Sequence, residues 1–186
     1  MKNLFISLLL IILGVIVKAQ PTMYKNSDWE VGTEKELNGV KVKRLEGENA
    51  KLSITNIGYQ TQHQLFGYLK EMKKNGQIGG EKYKREVDRY RQFAAGGMVQ
   101  LYLTRPVEKD CNPGNFSIEV ADSHGKLIFE KTFKEESPKK MIDGAGYKSQ
   151  GLAFIKSEAY LPLTISILEL SDKVENKYVF EVSKTE

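Results

Sequence analysis

The chain has 186 residues, 28 of them basic and 24 acidic, for a formal net charge of +4. So slight an excess excludes a dedicated nucleic-acid binder, which concentrates far more positive charge on one face. Cys111 is the only cysteine, which excludes an intrachain disulfide; a chain long enough to bury a substantial core does not need one.

The first element is a targeting segment. Met1-Lys2-Asn3 gives a short cationic start, and an apolar run follows from Leu4 to Val17, interrupted only by Ser7 and Gly14. Val17-Lys18-Ala19 then offers a cleavage site before Gln20. This three-part pattern predicts a secretory signal peptide over residues 1–19. The run is shorter than the ~20 apolar residues that a membrane-crossing helix needs, so a retained anchor is the weaker reading. Cleavage after Ala19 would remove Lys2 and Lys18, leaving 26 of the 28 basic residues against 24 acidic ones, a net of +2. The mature chain is therefore expected to be exported, periplasmic or extracellular, with no transmembrane span.

From residue 40 onward, alternating apolar and polar residues dominate, the mark of half-buried strands. Weaker strands are predicted over 40–45 and 52–57. Between 58 and 97 the period changes to that of a helix. Leu65, Tyr68, Leu69 and Met72 share one side of a first helix, and Asn75-Gly76-Gln77-Ile78-Gly79-Gly80 breaks it. Tyr83, Val87, Tyr90 and Ala94 share one side of a second, ended by Gly96-Gly97. Glu81 with Arg85, Lys82 with Glu86 and Lys84 with Asp88 are opposite charges four apart, each expected to add a few tenths of a kcal/mol.

Strands resume with Val99, Leu101 and Leu103, then with Phe116, Ile118 and Val120. Asp122-Ser123-His124-Gly125 is a turn that makes a hairpin with 127–133. In that second strand Lys131 falls on the face of Leu127 and Phe129, which a bulge or an edge position would explain. A weaker strand is predicted over 152–156. Leu163, Ile165 and Ile167, then Tyr178, Phe180 and Val182, complete the set of eight.

Six successive strands without intervening helices cannot form parallel crossovers. The predicted fold is thus mainly β: a two-layer antiparallel β-sandwich, Ig-like or jelly-roll-like, with a helical hairpin inserted at about 62–95. A partly open barrel is the alternative. With no repeat and no low-complexity linker, residues 20–186 are expected to form a single domain.

Motifs with chemical content are sparse. His63 and His124 are the only histidines, and neither has a second His or Cys at zinc-ligand spacing. Asp110-Cys111-Asn112-Pro113-Gly114-Asn115 resembles the opening of a calcium loop, but Ala121 stands where the bidentate Glu belongs, so a plain turn is the simpler reading. Gly144-Ala145-Gly146-Tyr147-Lys148-Ser149 lacks the spacing of a phosphate loop. No cofactor or metal is indicated.

Two surfaces are candidate ligand contacts. The connection 134–150 is long and rich in Gly and Lys, and Tyr147 with Lys148 beside it offers an aromatic face for a sugar or a protein, unless Tyr147 folds onto the sheet. The helical hairpin carries an excess of positive charge, with Lys84, Arg85 and Arg91 as candidate anion contacts, unless these chains merely cover apolar surface. The expected role is a non-enzymatic binding or structural module of the cell envelope or exterior. Its partner would be a glycan, an anionic envelope component or a protein, rather than nucleic acid. A hydrolase with a site assembled from distant residues, or an inhibitor or chaperone-like partner with an open strand edge, are the alternatives. Cys111 is expected to be buried and inert rather than paired with another chain.

Overall fold

A computed structural model of the chain describes residues 29–37, 39–50, 52–170 and 176–185, and the signal-peptide segment lies outside them. The described residues form β1 (Glu34–Leu37), β2 (Val40–Glu46), β3 (Ile54–Gln60), α1 (Gln62–Lys74), α2 (Gly80–Phe93) and β4 (Met98–Arg105). Two 3₁₀ turns, Lys109–Cys111 and Pro113–Asn115, precede β5 (Phe116–Ala121), β6 (Leu127–Thr132) and β7 (Lys139–Lys140). Then come β8 (Tyr147–Phe154), β9 (Leu163–Glu169) and β10 (Asn176–Lys184).

The strands build two antiparallel sheets. One has six strands in the order β1-β2-β10-β9-β5-β6, the other four in the order β3-β4-β8-β7. Among the described residues no ladder joins the two sheets, so the architecture is a two-layer sandwich and not a barrel. Alternation explains the layering. Val40 and Val42 from β2, Phe180 and Val182 from β10, Ile165 and Ile167 from β9, and Ile118 and Val120 from β5 all point inward and are fully or almost fully buried. They meet Ile57, Val99, Leu101 and Leu103 from the smaller sheet in one continuous core. Each such side chain stabilises the fold by roughly 1.5–3 kcal/mol relative to exposure.

The helical hairpin covers the other face of the four-stranded sheet. Leu65, Leu69, Met72, Ile78, Tyr90 and Ala94 form a second cluster with Met98, and Leu152 and Phe154 of β8 pack against it. A capping box starts α1: the Thr61 hydroxyl accepts from the Gln64 amide, and the Gln64 side chain accepts from the Thr61 amide. The hairpin returns to the sheet at Gly96-Gly97, where Gly96 N donates to the Ile155 carbonyl and Ile155 N donates to the Gly97 carbonyl. Next to this joint the Tyr59 hydroxyl, in the core, donates to the Gly96 carbonyl at 2.7 Å.

Burial pushes the Tyr59 phenol up to about 12 from its ordinary value near 10. The unfolded chain therefore releases this proton at lower pH than the folded one, and Tyr59 contributes stability that is complete below pH 10 and lost as pH rises toward 12. Denaturant midpoints are expected to fall across this window, and the fall should be shallower in Tyr59→Phe. An unchanged pH profile in that variant would assign the alkaline loss to other groups.

Several features differ from the expectations. The strand expected at 52–57 lies at Ile54–Gln60, and the one expected at 152–156 begins earlier, at Tyr147. The early part of β8 has no apolar alternation because Ser149 and Gly151 occupy its inward positions; Gly151 lies against Phe133 and Pro113, where a Cβ has no room. β1 and β7 show no alternation in the sequence because Glu34-Lys35-Glu36 and Lys139-Lys140 carry charge at almost every position. As a result, 134–150 is not one long connection: β7 pairs with β8, leaving a turn at 141–146. On helix α2 the expected i,i+4 pairs are replaced. Glu86 and Asp88 pair with Arg89 at 2.9 Å and Arg91 at 3.5 Å, both at i,i+3.

Lys131 stands opposite the inward-facing Ile118, yet it is exposed because β6 is the edge of its sheet. A register shift at Val120/Ala121 adds a bulge to the same pair of strands. A charge on the inward face of an edge strand discourages pairing with another chain.

Candidate functional site

The strand registers align the two sheets end to end. In the smaller sheet Tyr147 lies opposite Arg105 and Phe154 opposite Met98. In the larger one Phe116 and Asn176 both lie opposite Glu169. Arg105 reaches across to Glu169 at 3.5 Å, so these residues share one end of the sandwich. The helical hairpin begins and ends at the other, beside Met98, about 23 Å away along β4.

Two buried arginines occupy the space between the sheets. Arg44 of β2, wholly buried, donates from Nη1 to the Trp29 carbonyl at 2.8 Å and to Asn56 Oδ1 at 3.4 Å. Its Nη2 donates to Asn49 Oδ1 and the Thr55 carbonyl, both at 3.1 Å. Arg105 of β4 donates to the Ile54 and Thr104 carbonyls and to Thr55 Oγ1. Thr55 is thus gripped from both sides. Arg44 lies over the rings of Tyr178 and Phe180, and burial lowers its pKa while Tyr178 and Glu48 act in the opposite direction. Oxygen acceptors from the flanking strands hold the terminal nitrogens of both cations, and aromatic rings line them, so they act as struts between the layers rather than as a ligand site.

Beyond them the β7–β8 hairpin projects. Met141 N donates to the Gly146 carbonyl at 2.8 Å, Gly144 N donates to the Met141 carbonyl at 3.0 Å, and Asp143 Oδ1 accepts from Ala145 N. Gly146 is required at the root because the Arg105 carbonyl sits 2.7 Å from where a Cβ would stand. This glycine serves packing and not phosphate binding. At the tip Ile142 is 104% exposed, so its side chain stands clear of everything else. Lys139 and Lys148 lie directly opposite each other across the two strands, Lys140 lies opposite Tyr147, and all three lysines are exposed. Like charges facing each other in this way repel, and a bound anion would relieve them. Val107 and Leu170, also exposed, flank the same end: Val107 follows Pro106, which adjoins Gly146, and Leu170 follows Glu169.

The sequence candidates separate accordingly. Lys148 belongs to this hairpin. Tyr147 does too, but its ring packs half-buried against the main core and is occupied there. Lys84 and Arg85 are exposed on α2, and Arg91 is exposed and paired with Asp88. Nearby cations cover aromatic surface: Arg89 lies over Tyr90 and Phe154, and Lys73 over Tyr83. Ile142, Lys139 and Lys140 were not singled out from the sequence; a Met-Ile pair between lysines and glycines was the only clue.

The remaining reactive side chains do not converge. His63 is exposed on α1, over the smaller sheet. His124 is exposed in the β5–β6 turn of the larger sheet, where Asp122 Oδ1 accepts from the His124 and Lys126 amides and these bonds, Lys126's first, hold the Asp122 carboxyl below the usual range. Asn112 Oδ1, a would-be calcium ligand, accepts from the Gly114 and Glu136 amides. Among the described residues no group of three or more His, Cys, Asp or Glu is placed to hold a metal ion.

Cys111 is buried, its thiol 3.3 Å from the Tyr147 carbonyl and beside Ser149, whose hydroxyl donates to the Cys111 carbonyl. Burial raises the thiol pKa, and the Ser149 hydrogen bond only partly opposes it. A buried, protonated thiol is a poor nucleophile. In a labelling experiment with a thiol-specific reagent, Cys111 is expected to react only after denaturant unfolds the chain; rapid labelling of the folded protein would contradict its burial.

No family model, no curated protein and no solved structure matches the chain.

Proposed function

We propose that the chain acts after export as a non-enzymatic binding or structural module of the cell envelope or exterior, with the β7–β8 hairpin as its contact surface. The observation carrying this reading is the exposed Ile142 held at the tip of a short hairpin, with the exposed Lys139, Lys140 and Lys148 on the strands behind it. An apolar residue so exposed has no role within the chain, and apolar tips rimmed by charge are typical of surfaces that meet a partner. The placement of His63 and His124 on different layers, and of Cys111 in the core, speaks against the hydrolase alternative.

The mature chain, beginning at Gln20, is expected to be retained on an envelope fraction of the producing cells. Combining Ile142→Asp with Lys140→Glu should reduce retention at least tenfold. Lys84→Glu with Arg85→Glu on α2 should leave it unchanged. Loss in the second variant but not the first would move the contact surface to the helices, and no retention at all would remove the reading.

A further inference from the structure

We infer that the partner met by this hairpin is an anionic lipid bilayer surface. The inference rests on the binding-module reading above and names the partner of the same site. Three properties point to lipid. Ile142 protrudes from a turn rather than lining a groove, so it suits insertion into a soft phase better than a preformed pocket. The lysines stand behind it on the hairpin strands, with the unfavourable Lys139–Lys148 opposition that a layer of phosphates would neutralise. Asp143, the one carboxylate in the segment from Lys139 to Lys148, is turned back onto the Ala145 amide.

A sugar partner fits these groups less well. An isoleucine side chain neither stacks on a pyranose nor hydrogen-bonds to it, and the neighbouring Tyr147 ring is held against the core. The exposed Val107 and Leu170 extend the apolar content of the same end, which favours an end-on approach to a surface. The hairpin is rooted by β8 pairing along its full length with β4, so insertion requires no unfolding.

The test uses the mature chain and vesicles of phosphatidylglycerol and phosphatidylcholine, with pure phosphatidylcholine as the neutral reference. Trp29 is the only tryptophan and is buried, so Ile142→Trp places a reporter at the tip against a constant background. Its emission should shift to the blue with anionic vesicles and not with neutral ones. In the native background, affinity should drop about fivefold for each of Lys139, Lys140 and Lys148 replaced by glutamine, and should fall steeply with salt. Melting temperatures should stay unchanged, since all four side chains are exposed. Sedimentation with vesicles without an emission shift would place the contact elsewhere and overturn the inference, as would equal binding to neutral vesicles. If the chain fails to bind vesicles but still binds lipid-extracted envelope material through the hairpin, the lipid identification falls and the contact surface stands. If it binds neither, both fall.

Discussion

Replacing Arg44 by alanine is expected to lower the unfolding free energy by about 3–5 kcal/mol. Truncation would strip donors from the carbonyls of Trp29 and Thr55 and from the side chains of Asn49 and Asn56, and would leave a void beneath Tyr178 and Phe180. Buried acceptors without donors cost about 1–3 kcal/mol each, and the void adds to that. Arg44→Met separates the two contributions, because it keeps most of the volume and removes the charge. Arg44 has no carboxylate within ion-pair distance among the described residues, and its Nε–H has no partner, so relief from charge burial partly offsets the lost hydrogen bonds. The methionine variant is expected to lose about half as much as the alanine variant. Chemical denaturation of the three proteins measures this; equal losses would mean that hydrogen bonds, not packing, govern the site.

Gly97→Ala is expected to cost about 2–4 kcal/mol, while the same change at Gly67 should stabilise by about 0.5–1 kcal/mol. Gly97 has φ of +94°, a conformation in which a Cβ is strained, and the Cβ would strike the Gln60 carbonyl and approach the Tyr59 hydroxyl to 2.8 Å. Neither the carbonyl nor the core tyrosine can yield, because Gln60 is paired with Met98 and Tyr59 is bonded to Gly96. Gly67 sits mid-helix in α1 with nothing within 4 Å of a Cβ, so alanine there only reduces the freedom of the unfolded chain. Opposite signs for one chemical change would show that the joint between helix and sheet, and not glycine content, limits stability. A loss of less than about 1 kcal/mol at Gly97 would mean that the joint relaxes freely.

Strand legibility followed burial. β4, β5, β9 and β10 each have one face in the core and were visible from alternation within a few residues of their observed bounds. The two helices were visible for the same reason: their apolar stripes cover Met98, Leu152 and Phe154. β7 was invisible because two lysines carry no periodic signal, and its pairing comes from the neighbouring β8. β8 was placed too late because Gly151 stands where an apolar residue would have marked the inward face, and Phe133 from another part of the chain fills that space.

The candidate site was legible only in part. Lys148 stands within a basic, glycine-rich stretch that marks it as a candidate, and of the two readings open for Tyr147 the structure has the one in which its ring folds onto the sheet. Arg44 and Arg105 carry no signal of their own in the sequence, since nothing local tells a cation on a solvent face from one whose acceptors come from other strands.

What the order of residues determined by itself is the periodicity of the inward faces, and with it the class of fold, because side-chain alternation is a property of the strand alone. What only the tertiary structure decided is which polar side chains face inward and which apolar ones stand free. The two terminal nitrogens of Arg44 find acceptors up to 15 positions away in the chain, and Ile142 is left bare because β7 and β8 turn back on each other before reaching anything that could cover it.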